Sequence, residues 1–206
     1  EGDKSGVADI AGQLIKRGTA TKSKEVLDES VEFLGGSLST SSTSATATAL
    51  KNNFPKIFEL MSEVILHPAF AATELEKVKK QTLSNIESKK DEPDAIASNV
   101  VHKLVYGAGH PFGEITTAKS VNNITLEDVK QFYTTYWKPN VAYLVFVGDI
   151  EPLQAKQLVT QHLLAWKKGQ VPAVDFPATV KPTSTYIAVV DRPASVQTVV
   201  TVANTV

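Results

Sequence analysis

With 206 residues, 42% of them hydrophobic and 21% charged, the chain carries enough apolar material for one ordinary α/β domain, or for one domain plus part of another. Its 21 basic and 22 acidic residues nearly cancel, which points away from nucleic acid and from an anionic membrane surface. The absence of cysteine excludes disulfides, thiolate zinc sites and cysteine nucleophiles, and no apolar run is as long as a membrane span.

The first element is GVADIAGQLIKRGT, residues 6–19. Val7, Ile10, Ala11 and Leu14 fall at i, i+3, i+4 and i+7, which predicts a helix with one buried stripe, stopped by Gly18. Beside that stripe Asp9, Gly12 and Gln13 share a second face, the geometry by which a helix offers ligands to a metal. A second helix, 23–34, buries Leu27, Val31 and Leu34 and ends at Gly35-Gly36. In SLSTSSTSATAT, residues 37–48, nine of twelve residues are Ser or Thr. A low-complexity linker is one reading, but the alternation of Leu38, Thr40 and Ser42, then Ala45, Ala47 and Ala49, favours a polar β-hairpin.

Pro55 opens a third helix, lined by Ile57, Leu60, Met61 and Val64 and closed by His67-Pro68. Thr73 with Glu76 has the spacing of a capping box before a long helix lined by Leu75, Val78, Thr82 and Ile86. Asp91-Glu92-Pro93 breaks it and starts another, with Ile96, Val100 and Leu104 inward, up to Gly107. After the loop carrying HPFGE, residues 110–114, Thr125 begins a helix with Val129, Phe132, Tyr133 and Tyr136 on its inner face. VAYLVFV, 141–147, is a continuous apolar run and predicts a central strand covered on both faces, followed by a helix from Pro152 to Gly169. Residues 170–183 hold three prolines and form a linker; TYIAVVD and VQTVVTV then predict two strands joined at Arg192-Pro193. The fold expected is α+β, a mostly antiparallel sheet with helices packed on one face.

These stretches resemble, in order and spacing, the insulinase/pitrilysin family of zinc peptidases, which carry the inverted motif H-x-x-E-H. The resemblance rests on GVADIAGQLIKRGT, FLGGSLS, SNIESKKDEPDAIA, YGAGHPFGE, YWKPNVAYLVFVGD and DRPASVQ, and runs from residue 6 to about 200. It places the family's His, Glu and His at Asp9, Gly12 and Gln13, and its third metal ligand, a Glu, at Asn85. The interval between these positions is a few residues short of the family's, a deletion placed in the 37–48 hairpin. Zinc needs about three good N, S or carboxylate donors, and a catalytic site adds a water and a general base. Asp9 alone could ligate, Gln13 and Asn85 are weak amide donors, and Gly12 removes the base. None of His67, His102, His110 and His162 stands at i, i+4 from another, and His162 lies on an apolar helix face as a core histidine.

The resemblance therefore implies a catalytically inactive subunit or half of a zinc metallopeptidase, with no metal or other cofactor of its own. Zinc is expected only in a catalytic partner, whether a separate subunit or a fused half, with which this chain helps form the substrate-enclosing chamber. The alternative is a purely structural scaffold of the same fold, like core subunits of respiratory complexes. The Arg and Tyr that a zinc-free half of the family supplies to the active site would lie beyond Val206. In the family the strand after the G-G-S turn accepts an extended peptide by β-augmentation, so Ser37, Leu38, Ser39, Thr40 and Ser41 are the expected substrate-binding edge. Residues 1–169 are expected to be a peptidase-like domain without its first strands. Residues 170–183 would be the linker, and 184–206 the opening strands of a second, truncated domain. The chain thus reads as a piece cut at both ends. Its terminal strands are expected to fill vacant sheet positions, in their own chain or in a second copy of a homodimer. The family's compartment, carried over, would be a bacterial periplasm or cell envelope.

Overall fold

Helices make up most of the regular structure in this computed structural model, which describes residues 1–107, 109–173, 175–179, 184–191 and 196–204. They are α1 (Val7–Ile15), α2 (Lys24–Phe33), α3 (Phe54–Leu66), α4 (Ala72–Lys89), α5 (Pro93–Tyr106), α6 (Ala118–Asn123), α7 (Leu126–Tyr136) and α8 (Pro152–Leu163). A single hairpin, β1 (Ser37–Thr40) with β2 (Ala45–Thr48), separates α2 from α3. The chain divides into two compact units, one of residues 6–80 and 124–172, the other of residues 1–5, 81–123 and 173–206, so the division falls inside α4.

In the first unit α3 is the central helix. Its start at Phe54-Pro55 uses proline where no intrahelical N–H is needed. Seven of its thirteen residues are buried, among them Ile57, Phe58, Met61, Val64 and Ile65. Leu158 of α8 joins Phe58, Met61 and Ile65 in a cluster on which Leu38 of β1, Ala45 and Ala47 of β2, and Phe146 also rest. Of the stripe predicted on α1, Ile10, Ala11 and Leu14 are at most 1% exposed while Val7 is half-buried; Ile15 joins them in the core, and the helix packs against α7. Ser23 caps α2 through the Val26 amide, and Thr125 caps α7 in a reciprocal box with Asp128. In the second unit His110 is buried, its ring stacked with Tyr106 at 5.0 Å and with Phe176 at 5.7 Å between centroids.

Several expectations are corrected. The sheet is not the dominant layer: among the described residues β1 and β2 form its only ladder. VAYLVFV is not a covered central strand. Val141 ends a 3-10 turn begun at Pro139, the rest runs as irregular backbone with no strand paired to it among the described residues, and Tyr143, Val145 and Val147 are 96%, 76% and 92% exposed. The described parts of TYIAVVD and VQTVVTV likewise form no ladder, while the junction at Arg192-Pro193 lies outside the described residues. The cause is common to all three, since a β-rich composition becomes a strand only where a neighbour supplies the other half of the hydrogen bonds. Helix α4 begins at Ala72, so Thr73 is inside the helix rather than its cap. Helix α5 buries none of its residues completely, and Leu104 is half exposed. Helix α6 lacks the apolar period that marks the others and went unpredicted.

Two carboxylates of the first unit tie its loops to its helices. Glu63 accepts hydrogen bonds from the Thr19 and Thr21 hydroxyls and from the Lys22 ammonium, the last at 2.6 Å. Glu74 accepts from Lys77 at 2.6 Å and from Arg17 at 3.1 Å. Burial pushes Glu63 up, but the bonds from Lys22, Thr19 and Thr21 together outweigh it and hold the carboxyl below its usual range. The Lys77 bond, assisted by Arg17, outweighs burial in the same way at Glu74. Both groups are thus more acidic folded than unfolded. Their contribution is complete above the unfolded Glu range and is lost as pH falls through the folded values. Denaturant titrations should show stability declining below about pH 4.3, the ordinary Glu value. Glu63→Gln and Glu74→Gln should each cost about 1 kcal/mol at neutral pH and flatten that decline.

Candidate functional site

Helix α1 presents the three family positions in very different surroundings. Asp9 is exposed, Gln13 is half-buried, and neither side chain has a hydrogen-bond or ion-pair partner among the described residues. Gly12 is buried. A Cβ on Gly12 would stand 2.2 Å from the carbonyl carbon of Ser41, 2.3 Å from the Ser42 nitrogen and 2.4 Å from the Ser41 oxygen. These are main-chain atoms of the turn between β1 and β2, which no rotamer change can move aside. The Thr40 hydroxyl donates to the Gly12 carbonyl at 2.6 Å and fixes the approach. Position 12 therefore does more than lack a base: the hairpin turn occupies the space a side chain there would need.

Asn85 belongs to the other compact unit. It is exposed on the second half of α4, where its Oδ1 accepts from Gln81 of the preceding turn at 3.0 Å. Among the described residues no three His, Cys, Asp or Glu side chains come together as a metal-holding group. The donors on α1 do not fit a zinc ion either, being one exposed carboxylate, one amide and a glycine with no room beside it. His162 packs edge-on to Phe58, with centroids 6.2 Å apart.

The hairpin is a two-stranded ladder with no further strand beside it among the described residues. Its register pairs Ser37 with Thr48, Leu38 with Ala47, Ser39 with Thr46 and Thr40 with Ala45. The Ser41 amide donates to the Ser44 carbonyl at 2.8 Å, so Ser41 and Ser44 form a hydrogen-bonded pair. By alternation Ser39 and Ser37 also bond across to β2, while Leu38 and Thr40 turn their N–H and C=O groups to the outer edge. No strand of the described residues lies on that edge. Beside it is a hollow of about 210 Å³ between β1 and α2, floored by Leu27, Val31 and Leu38, with Lys16 and Glu32 also lining it. The close approach at Gly12 is the feature the sequence could not disclose. A glycine on a ligand face shows a missing side chain, and only the folded turn shows what fills the gap.

Helix α1 and the hairpin turn are thus closed on each other at Gly12. The insulinase (peptidase family M16) profile matches residues 1–117, and the profile of the peptidase M16 inactive domain matches residues 123–205. The chain belongs to the insulinase family, peptidase family M16, as a member without the zinc-ligand residues. It is 24% identical, over 71% of its length, to the uncharacterized zinc protease YmxG of Bacillus subtilis, and 26% identical over 71% to the non-peptidase homolog YmxG of Helicobacter pylori. Subunit 1 of the mouse mitochondrial cytochrome b-c1 complex is 24% identical over 71%. The chain spans only about a third of these relatives, 37%, 35% and 32% of their lengths respectively. A crystal structure of a peptidase M16 inactive domain from Pseudomonas fluorescens superposes on 88% of the chain, and 45% of that protein, with a TM-score of 0.76 and 26% identity.

Gly12→Ala forces a Cβ into main chain and should destabilise the protein by at least about 1–3 kcal/mol, the usual cost of overpacking. Asp9→Ala, at an exposed position, should stay within about 0.5 kcal/mol of the parent. Equilibrium urea unfolding of the two variants measures both.

Proposed function

We propose that this chain is a catalytically silent part of an M16 peptidase assembly. It holds substrate as an extended strand, while a zinc-bearing subunit or fused half performs the cleavage. The observation that carries this reading is the pairing of a closed ligand face with an open strand edge. Residue 12 has no room for a base, yet Leu38 and Thr40 direct their main-chain donors and acceptors away from β2, to an edge with no strand on it among the described residues. Recognition through main-chain hydrogen bonds needs no metal and tolerates many side chains, which suits a chamber wall that meets varied peptides. Ser37, Leu38, Ser39, Thr40 and Ser41 are the contacts in this reading, with the hollow beside Leu38 as a place for one peptide side chain. A second reading, a structural scaffold, is favoured by the similarity to the cytochrome b-c1 subunit.

Three measurements separate these readings. After dialysis against zinc, elemental analysis should find no stoichiometric metal, and the chain alone should cleave no peptide. One equivalent of zinc, lost in Asp9→Ala, would contradict the silent-subunit reading. Fluorescence anisotropy with a labelled unstructured peptide should then show binding. N-methylation of alternate peptide amides should weaken it about tenfold or more, a loss of about 1.4 kcal/mol. Leu38→Pro, which removes an outward N–H and leaves the ladder bonds of Ser37 and Ser39 in place, should do the same. Binding indifferent to both changes would remove β1 as the acceptor, and no binding at all by the folded chain would favour the scaffold.

A further inference from the structure

The HPFGE loop, residues 110–114, winds into a short 3-10 turn over Pro111–Gly113 that is tied to a buried histidine. The Gly113 amide donates to the His110 carbonyl at 2.8 Å, and a Cβ on Gly113 would stand 1.9 Å from the Gly107 oxygen. Within the turn the Phe112 amide donates to Nδ1 of His110 at 3.0 Å. A ring nitrogen that accepts carries no proton, so this bond requires the neutral imidazole with its hydrogen on Nε2. His110 is only 6% exposed, and Tyr106 of α5 stacks on its ring. Phe176 stacks on both His110 and Phe112, at 5.7 and 5.4 Å between centroids. Residue 176 belongs to the proline-bearing stretch 170–183, so that linker is docked on the loop at this point.

We propose that His110 is a proton-sensitive latch: its neutral ring holds the linker down through Phe176, and its protonation opens the Pro111–Gly113 turn and frees the linker. An imidazolium has a donor on both nitrogens, so turning the ring gives the Phe112 amide no acceptor. Two N–H groups would then oppose each other at a largely buried position, where an unmet donor is costly. The loop is closed main chain to main chain at Gly107 and Gly113, so His110 and Phe112 cannot shift apart while the turn stays wound. Opening it separates the two rings on which Phe176 rests. Stacking alone would not sense the proton, since an aromatic face accepts a cation readily. The sensing lies in the hydrogen bond. The ionisable groups on the elements packed against His110 are Asp94, His102, Lys103 and Tyr106 of α5, Glu114 of the loop and Asp175 of the linker. Of these, among the described residues, only Tyr106 has a ring contact, hydrogen bond or ion pair with His110. Glu114 is engaged with the Glu1 amino group at 3.1 Å. His102 donates from Nδ1 to the Ser98 carbonyl at 2.7 Å, a bond that its charged form keeps. Acid therefore turns a docked strap into a free tether for the residues that follow it.

The test uses the whole 206-residue chain with 4-fluorophenylalanine in place of Phe176. Fluorine and amide NMR follow it between about pH 8 and pH 5, the span in which histidines change charge. The fluorine signal should move from a docked to a free position as the His110 ring titrates. Over the same interval the Phe112 amide should lose its protection from exchange. His110→Asn keeps an acceptor at the start of the turn and cannot titrate, so its fluorine signal should hold one position across the range. A fluorine signal that stays put while His110 titrates overturns the proposal, as does a His110 ring that stays neutral throughout. A pH-dependent shift that survives in His110→Asn assigns the titration to another group, such as His102, Glu114 or Asp175, and overturns it too. Should His110→Asn fail to fold, the parent chain decides, since ring titration and release of residue 176 must share one midpoint.

Discussion

The approach of the Ser41–Ser42 main chain to α1 at Gly12 is a constraint from which much of the first unit follows. Main chain meets main chain there, and the Thr40 hydroxyl bond to the Gly12 carbonyl holds the two elements in register. Helix α1 is thereby gripped from two directions. Its apolar stripe is sealed against the interior, and the residue that would face the hairpin is reduced to a hydrogen atom. With α1 and the turn fixed, the course of β1 is fixed as well. Its odd residues bond to β2, and its even residues direct their peptide groups outward along the free edge. One contact accounts for both the closed face of α1 at Gly12 and the placement of β1.

Helix α3 supplies the surface on which this arrangement rests. Leu38, Ala45, Ala47 and Phe146 all pack on its cluster with α8, yet the hairpin and the 141–147 segment are joined by no ladder. The layer over α3 is therefore assembled through side chains and left open through main chain. Apolar contacts are non-directional and can seat an isolated extended segment, whereas hydrogen bonding requires a partner at fixed spacing. That difference explains how Phe146 is half-buried while Tyr143 and Val147 are almost fully exposed.

Much of the helical part of this structure was legible in the sequence because its determinants are local. Ser23, Pro55, Pro93 and Thr125 mark helix starts, and the stripes of α1 and α3 repeat at helical period over about two turns. The hairpin was legible from alternation alone, despite a composition that also suits a linker. What local pattern could not give was pairing. VAYLVFV has the side chains of a central strand, but a strand is a property of two segments, and its partner is not encoded in its own residues. Helix α5 shows the same limit, since the inward period of Ile96, Val100 and Leu104 predicts a buried face only if something packs over it. At the candidate site the sequence showed only the residue types present, Asp9, Gly12 and Gln13. It could not distinguish a vacated position from one that has been filled.

That distinction bears on how the two faces of α1 can differ in what they retain. On α1 the residues that hold the helix in the core, Ile10, Ala11, Leu14 and Ile15, are different residues from Asp9, Gly12 and Gln13. A helix can keep one face and surrender the other because the two are read by different neighbours, packed side chains on one side and a ligand on the other. Once the ligand face carries a glycine, the main chain opposite is free to close in, and the closed contact then contributes to packing in its own right. The consequence is directional. Any side chain at position 12 would need the Ser41–Ser42 turn to withdraw. The outer edge of β1 is under no such constraint, because its hydrogen-bonding groups belong to the backbone and do not depend on which residues α1 has lost.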